Sequence, residues 1–224
     1  MKQNFFLCIL AFGCLLTALV HGCKKDSSDK PSNIKLVSFT EEFDDVSQLE
    51  TIGWVLKDNS DESTPWIQPG LGKGVNSPFY PAYSFTSSEY EYISAYITPT
   101  GTYYAVSSWL ISPPLSLKNG DKISFYSRTD SGSVYHERLQ IRMNSSTSAD
   151  VGETSNSVGG FSTILIDINP AQASGSYPET WTKYEHIFSG ISGKITSRIG
   201  FRYVAPSTSS ANGIAIDQFR FEVY

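Results

Sequence analysis

From Leu36 onward the chain alternates apolar and polar residues with a period of two, and Gly, Pro, Asn or Ser breaks the pattern every 8 to 15 residues. That rhythm suits strands with one face buried and one in water, joined by turns, and it excludes a helical bundle. It predicts about eight strands, at 35–43, 108–111, 122–129, 138–143, 162–168, 182–188, 197–204 and 214–223. No segment offers a sustained helical stripe with caps. Residues 145–160 read as a polar Ser/Gly-rich loop, and Asn212-Gly213 is a strong turn pair. Eight strands with long loops predict an all-β, two-sheet jelly-roll β-sandwich occupying residues 35–224 as one domain. The 13 Tyr, 13 Phe and 4 Trp supply enough apolar surface to offset chain entropy, so the composition excludes a disordered chain. The net charge is −5 and basic residues never cluster beyond a pair. A phosphate backbone needs a dense basic face, so nucleic acid is excluded as a partner.

The first residues follow a different logic. Lys2 precedes an apolar run over residues 5–20, and 16 residues fall short of the roughly 20 that span a bilayer. Val20-His21-Gly22-Cys23 resembles the lipobox of bacterial lipoproteins, in which cleavage precedes a lipid-modified cysteine. This predicts a signal peptide over 1–22, lipidation at Cys23 and a polar tether over 23–34, with the protein anchored in the outer membrane at the cell surface. Ala11-Phe12-Gly13-Cys14 is a rival box that would leave a hydrophobic tail. An ordinary secretory signal with an incidental cysteine is the alternative. The only cysteines are Cys8, Cys14 and Cys23, so the mature domain has no thiol for a disulfide, zinc or catalysis. Removing 1–22 leaves 16 basic against 22 acidic side chains, a net charge of −6.

Eight segments, in order, carry a family resemblance. Phe39-Thr40-Glu41-Glu42-Phe43-Asp44 opens it, followed by Gly53-Trp54 and by the acidic turn Asp58-Asn59-Ser60-Asp61 before Trp66. Trp109-Leu110-Ile111-Ser112-Pro113 is the most distinctive piece, with Leu115-Ser116-Leu117 and Ile123-Ser124-Phe125 after it. Glu137-Arg138-Leu139-Gln140-Ile141 and Ile214-Ala215-Ile216-Asp217 close the set. Together they resemble the cleaved-adhesin, or choice-of-anchor J, domains of surface proteins in Gram-negative bacteria, over roughly residues 37–223. The resemblance implies a galactose-binding-domain-like jelly roll, structural calcium, and a role among adhesion or carbohydrate-associated surface modules.

Two carboxylates stand out by their phase. Strand alternation places Glu41 with Phe39 and Phe43, and Asp217 with Ala215, Phe219 and Phe221. Aromatic faces turn to the core, so both acids are expected to point inward, where a lone carboxylate costs several kcal/mol. Side by side on the two terminal strands, Glu41 and Asp217 would suit calcium, which takes 6–8 oxygen ligands. The alternative is that each pairs separately, with Arg128, Arg202 or a turn. Asp44, Asp58 and Asp61 are secondary candidates.

Catalysis finds little support. The mature chain keeps only His136 and His186, and neither accompanies a nucleophile or zinc motif. A glycosidase needs only two suitably spaced carboxyls, so a polysaccharide hydrolase with dispersed acids stays open. The stronger functional signal lies at 77–104, where nine Tyr and Phe residues are punctuated by Pro78, Pro81 and Pro99. Tyrosine offers rigid contact area with a polar tip, suited to sugar faces and protein partners alike. Tyr80, Tyr83, Tyr103 and Tyr104 are the candidate ligand-binding residues, about half of the aromatics in this stretch being expected to pack inward as strand residues. Trp54, Trp66 and Trp109 are expected in the core. The sequence thus points to a lipid-anchored surface module, not an enzyme, that binds a glycan or a surface protein; a structural subunit of an envelope complex is the other alternative.

Overall fold

The structure is a computed structural model that describes residues 37–69, 81–83, 91–97 and 104–224. Cys23, Tyr80 and Tyr103 lie outside the described residues. Among the described residues, twelve strands form two antiparallel sheets, with two short 3-10 turns, at Val46–Ile52 and Thr208–Ser210. The first sheet holds β1 (Phe39–Glu41), β3 (Trp66–Ile67), β4 (Ile93–Tyr96), β7 (Lys122–Arg128), β10 (Thr182–Ile187) and β12 (Gly213–Glu222). Its order is β10-β7-β12-β4-β3, with β1 also paired to β12. The second holds β2 (Val55–Asp58), β5 (Val106–Ile111), β6 (Leu115–Leu117), β8 (Leu139–Asn144), β9 (Thr163–Ile168) and β11 (Ile195–Ala205), in the order β2-β5-β11-β8-β9, with β6 on β11. This is the two-sheet β-sandwich that the alternation predicts.

The period of two builds the core directly. On β7, Ile123 and Phe125 are fully buried between the sheets, while Lys122, Tyr126 and Arg128 on the other face stay partly exposed. Phe201 of β11 meets Phe125 at 5.1 Å and Phe219 of β12 at 5.6 Å, both edge to face. Each such ring, fully buried, contributes about 1.5–3 kcal/mol. Trp54 and Trp66 join this core at 1% and 2% exposure, as their sequence context predicts.

β12 departs from the expected pattern at one residue. Asp217 pairs with Tyr126, yet Arg220, three residues on, pairs with Ser124, only two residues back along β7. The extra residue is a β-bulge, and Gln218 takes a left-handed φ of 49° inside it. Ile214 and Ile216 face the core before the bulge, and Phe219 and Phe221 face it afterwards. Ala215 packs outside, with Ala82 and Tyr92, and alternation puts Asp217 on that outer side too. Asp217 is therefore buried, at 2% exposure, but not on the face of Phe219 that an unbroken strand would give it.

Residues 145–161 also differ from a free polar loop. They fold over the outer face of the second sheet, where Val151 and Phe161 bury Trp109 and Ile111 in a small separate core. Arg202 on β11 pins this cover. Its guanidinium donates to Ser155 O at 2.5 Å, Ser107 Oγ at 3.0 Å and Gln140 Oε1 at 3.2 Å, and sits 5.4 Å from the Trp109 ring.

Candidate functional site

The outer face of the first sheet gathers the features a binding site needs. Lys183 of β10, Tyr126 of β7 and Asp217 of β12 stand in one cross-strand row. The short segment 81–83 lies over this row and is held by two hydrogen bonds. Tyr83 N donates to Asp217 Oδ2 at 2.7 Å, and Trp181 Nε1 donates to Pro81 O at 2.9 Å. Between them Ala82 packs onto Tyr92 and Ala215. The Tyr83 ring then stacks on the Tyr126 ring, with centroids 3.5 Å apart and planes at 19°, while 41% of the residue remains exposed. Trp181 packs edge-on to Tyr92 at 5.6 Å, with the Arg128 guanidinium 6.0 Å from its ring. The result is a rigid aromatic ledge with polar tips.

Asp217 is the pin beneath the ledge. Gln218 N, turned inward by the bulge, donates to Oδ1 at 2.7 Å, so each oxygen holds a backbone N–H. Burial pushes its carboxyl up to about 7 against those two hydrogen bonds, and the charges of Asp44 and Glu42 push the same way. Asp44 is itself raised, first by burial and then by Glu91 and Glu42.

Glu41 does not join Asp217. It pairs in register with Phe219, and hence stands on the core side of β1, where its Oε1 accepts Phe43 N at 3.1 Å. The bulge sends the two acids to opposite faces of one sheet. Among the described residues, no group of three or more carboxylates, His or Cys gathers in a form that could hold a metal ion. The acids whose charges reach Asp217 are Asp44 and Glu42, of which only Asp44 figured as a secondary candidate in the sequence. Asp58 instead caps its own turn, accepting Ser60 N and Thr64 N, and Asp61 accepts Ala105 N at 3.2 Å. Of the described tyrosine candidates, Tyr83 is exposed and Tyr104 half-buried, its carbonyl accepting Thr208 N at 2.9 Å.

Sequence reasoning missed two buried acids, Asp121 and Glu137. Glu137 is fully buried, and its Oε1 accepts Asn212 N at 2.7 Å and Gly213 N at 2.9 Å while Oε2 accepts the Tyr203 hydroxyl. Burial raises its carboxyl to about 7, opposed by those three donors and assisted by Asp130. The signal was present, since Glu137, Leu139 and Ile141 share one strand phase and the latter two are core residues. Glu137 is closed to any substrate and ties the start of β12 to β11. His136 Nδ1 lies 2.6 Å from Gln172 O, and His186 packs edge-on to Phe188, its ring pK lowered by burial. A cleft of about 390 Å³ lined by Lys57, Asn59, Ala149, Asp150, Val151 and Gly152 contains none of the buried acids Asp121, Glu137 and Asp217.

No family model matches the chain, and no curated protein matches its sequence. Solved structures do resemble it. The K1 cleaved adhesin domain of Lys-gingipain from Porphyromonas gingivalis superposes with a TM-score of 0.52 at 15% identity, over 84% of this chain and 99% of that domain. The K2 domain of Lys-gingipain gives 0.51 at 14% identity, over 84% and 100%, and the K3 domain 0.50 at 15%, over 83% and 98%. At such identity the likeness is one of fold, and the fold is that of these β-sandwich domains.

Proposed function

We propose that the protein is a non-catalytic binding module, held by a lipid on Cys23 at the outer-membrane surface, that recognises a glycan or a surface protein through the ledge at Tyr83. One observation carries the reading. Tyr83 offers an exposed ring whose back is packed on Tyr126 and whose backbone is fixed to Asp217, so binding need not order it. Pre-ordering of this kind removes much of the entropic cost of association. Tyr80, Tyr103 and Tyr104 belong to the same proposal as neighbours in sequence. The adhesin character of the structurally similar gingipain domains supports a binding role. So does the state of the two acids raised to about 7, since the oxygens of Glu137 are taken by two backbone N–H groups and the Tyr203 hydroxyl and those of Asp217 by two backbone N–H groups.

Structural calcium, which the family resemblance implies, stays within this proposal in altered form. It would rest on Asp217 together with main-chain carbonyls, because Glu41 turns to its own backbone and no three carboxylates gather among the described residues. The functional test is a glycan array and a cell-adhesion assay with the parent and Tyr83→Ala. Binding lost in the variant at unchanged melting temperature is the expected result. Release of reducing sugar from a polysaccharide, abolished by substituting one carboxylate pair, would replace the binding module with a hydrolase.

A further inference from the structure

The end of the sandwich at which the described chain begins carries a second surface. Val37, Ile187, Val223 and Tyr224 are 68%, 59%, 36% and 64% exposed. Single exposed apolar residues need no explanation, but these four are gathered at one end by specific bonds. Val223 N donates to Ser38 Oγ at 2.8 Å, Tyr224 N to Asp121 Oδ1 at 3.0 Å, and Lys118 Nζ to the Tyr224 carbonyl. Ile187 pairs across the sheet with Lys122, which pairs in turn with Glu222. Lys122 Nζ bonds the Glu222 carboxylate at 2.9 Å and lies 5.9 Å from the Tyr224 ring. Lys118 and Lys194 stand exposed at this end. Its acids are engaged, Glu222 by Lys122 and the buried Asp121 by the N–H groups of Lys118 and Tyr224.

We propose that this end of the domain docks on the anionic lipid surface of the membrane that holds the anchor. The inference rests on the reading of Cys23 as the lipidated residue. Residues 24–36 then separate the lipid from Val37, and thirteen residues reach no further than about 50 Å when fully extended. The patch is thus never far from a bilayer, and its effective concentration there is high without any further contact. Charge argues for the same occupant. The segment 24–36 carries four lysines against two aspartates, in a chain whose net charge is −5, and it joins the domain at the patch. Lysine stems lie along apolar surface with their heads at phosphate level, and each lysine near an anionic leaflet adds to the attraction. Val37, Ile187, Val223 and Tyr224 supply the apolar part that enters the headgroup boundary.

The test uses the full acylated protein in vesicles of phosphatidylethanolamine and phosphatidylglycerol. Single cysteines replace Ser189, beside Ile187, or Ser209 at the far end of β11, and each carries a polarity-sensitive dye. Both positions are exposed, and the mature chain has no other unmodified thiol once Cys23 is acylated. With nitroxide-labelled lipids, the dye at 189 should lose about half of its emission while that at 209 keeps it, because side chains at an interface sit only some 5–10 Å deep. Ile187→Ser with Tyr224→Ser should abolish the loss at 189 while the protein still floats with the vesicles. Equal quenching at both positions, or quenching at 189 that survives the double substitution, in floating protein overturns the docking face and leaves the anchor standing. Protein that carries no acyl chain and fails to float overturns the anchor, and the docking with it.

Discussion

Tyr83 and Tyr126, 43 residues apart in sequence, stack at 3.5 Å on the outer face of the first sheet, and one of the two rings remains open to solvent. The exposed ring belongs to the covering segment and the supporting ring to β7, so ledge and scaffold are separately mutable.

Tyr83→Ala should weaken ligand binding by about 1–3 kcal/mol, the range for removing one stacking ring at other aromatic platforms. Melting should stay near that of the parent. Tyr126→Ala should weaken binding as well, though the ring only backs the contact. Titration calorimetry with a ligand from the array separates the two, because the supporting variant leaves Tyr83 present but unordered.

Glu137 makes stability depend on pH with a sign opposite to that of an ion-paired acid. Its folded-state pK of about 7 lies above the unfolded value of 4.5, so the native state binds the extra proton. This contribution is fully present below pH 4.5 and is lost as pH rises through 7. Urea melts from pH 4.5 to 8 should show stability falling across that window. Glu137→Gln keeps the acceptor for Asn212 N and Gly213 N and should reduce the slope, leaving the share of Asp217, which is also raised to about 7. Glu137→Ala removes the acceptor for Asn212 N, Gly213 N and the Tyr203 hydroxyl and should cost about 2–4 kcal/mol at pH 4.5 and less as pH rises.

Chelation tests the cation. If a divalent ion is held at Asp217, removing it should lower the melting temperature. The loss corresponds to about 2.7 kcal/mol where the ion stands at a hundredfold excess over its Kd. Asp217→Asn should remove the chelator sensitivity. Melting curves that are identical with and without chelator exclude the ion.

Arg202 should be intolerant of lysine. Burial lowers its guanidinium to about 10, with Arg142 and Arg138 acting the same way, and its three donors reach groups on three separate segments. One ammonium cannot span them, so Arg202→Lys should cost about 2 kcal/mol. The cover at 145–161 should open first, and limited proteolysis should cut there faster than in the parent.

The sequence reading succeeded where strands are long and strictly alternating, as at Lys122–Arg128 and Ile195–Ala205. It passed over Val55–Asp58, Trp66–Ile67, Ile93–Tyr96 and Leu115–Leu117, because two to four residues carry too little period to register. Asp217 stood out as an acid in an apolar strand, and it is indeed buried. Its face was misjudged because Gln218, neither Gly nor Asn, gives no warning of a left-handed residue. The cover over Trp109 was illegible for a related reason. Val151 and Phe161 are isolated apolar residues in a polar segment, and only the folded loop brings them together. Within the tyrosine-rich stretch, Tyr92 is fully buried and Tyr83 exposed, a division that alternation alone could not assign.

The bulge at Gln218 gives β12 two independent phases within one continuous strand. Upstream of it, Ala215 and Asp217 serve the ledge; downstream, Phe219 and Phe221 serve the core. Substitutions at the first pair can therefore remodel the outer surface while the hydrophobic layer keeps its registry. Losing that one residue would couple the halves and force every later side chain to the wrong side. The outer surface and the core are encoded in the same ten residues, yet they are free to diverge separately.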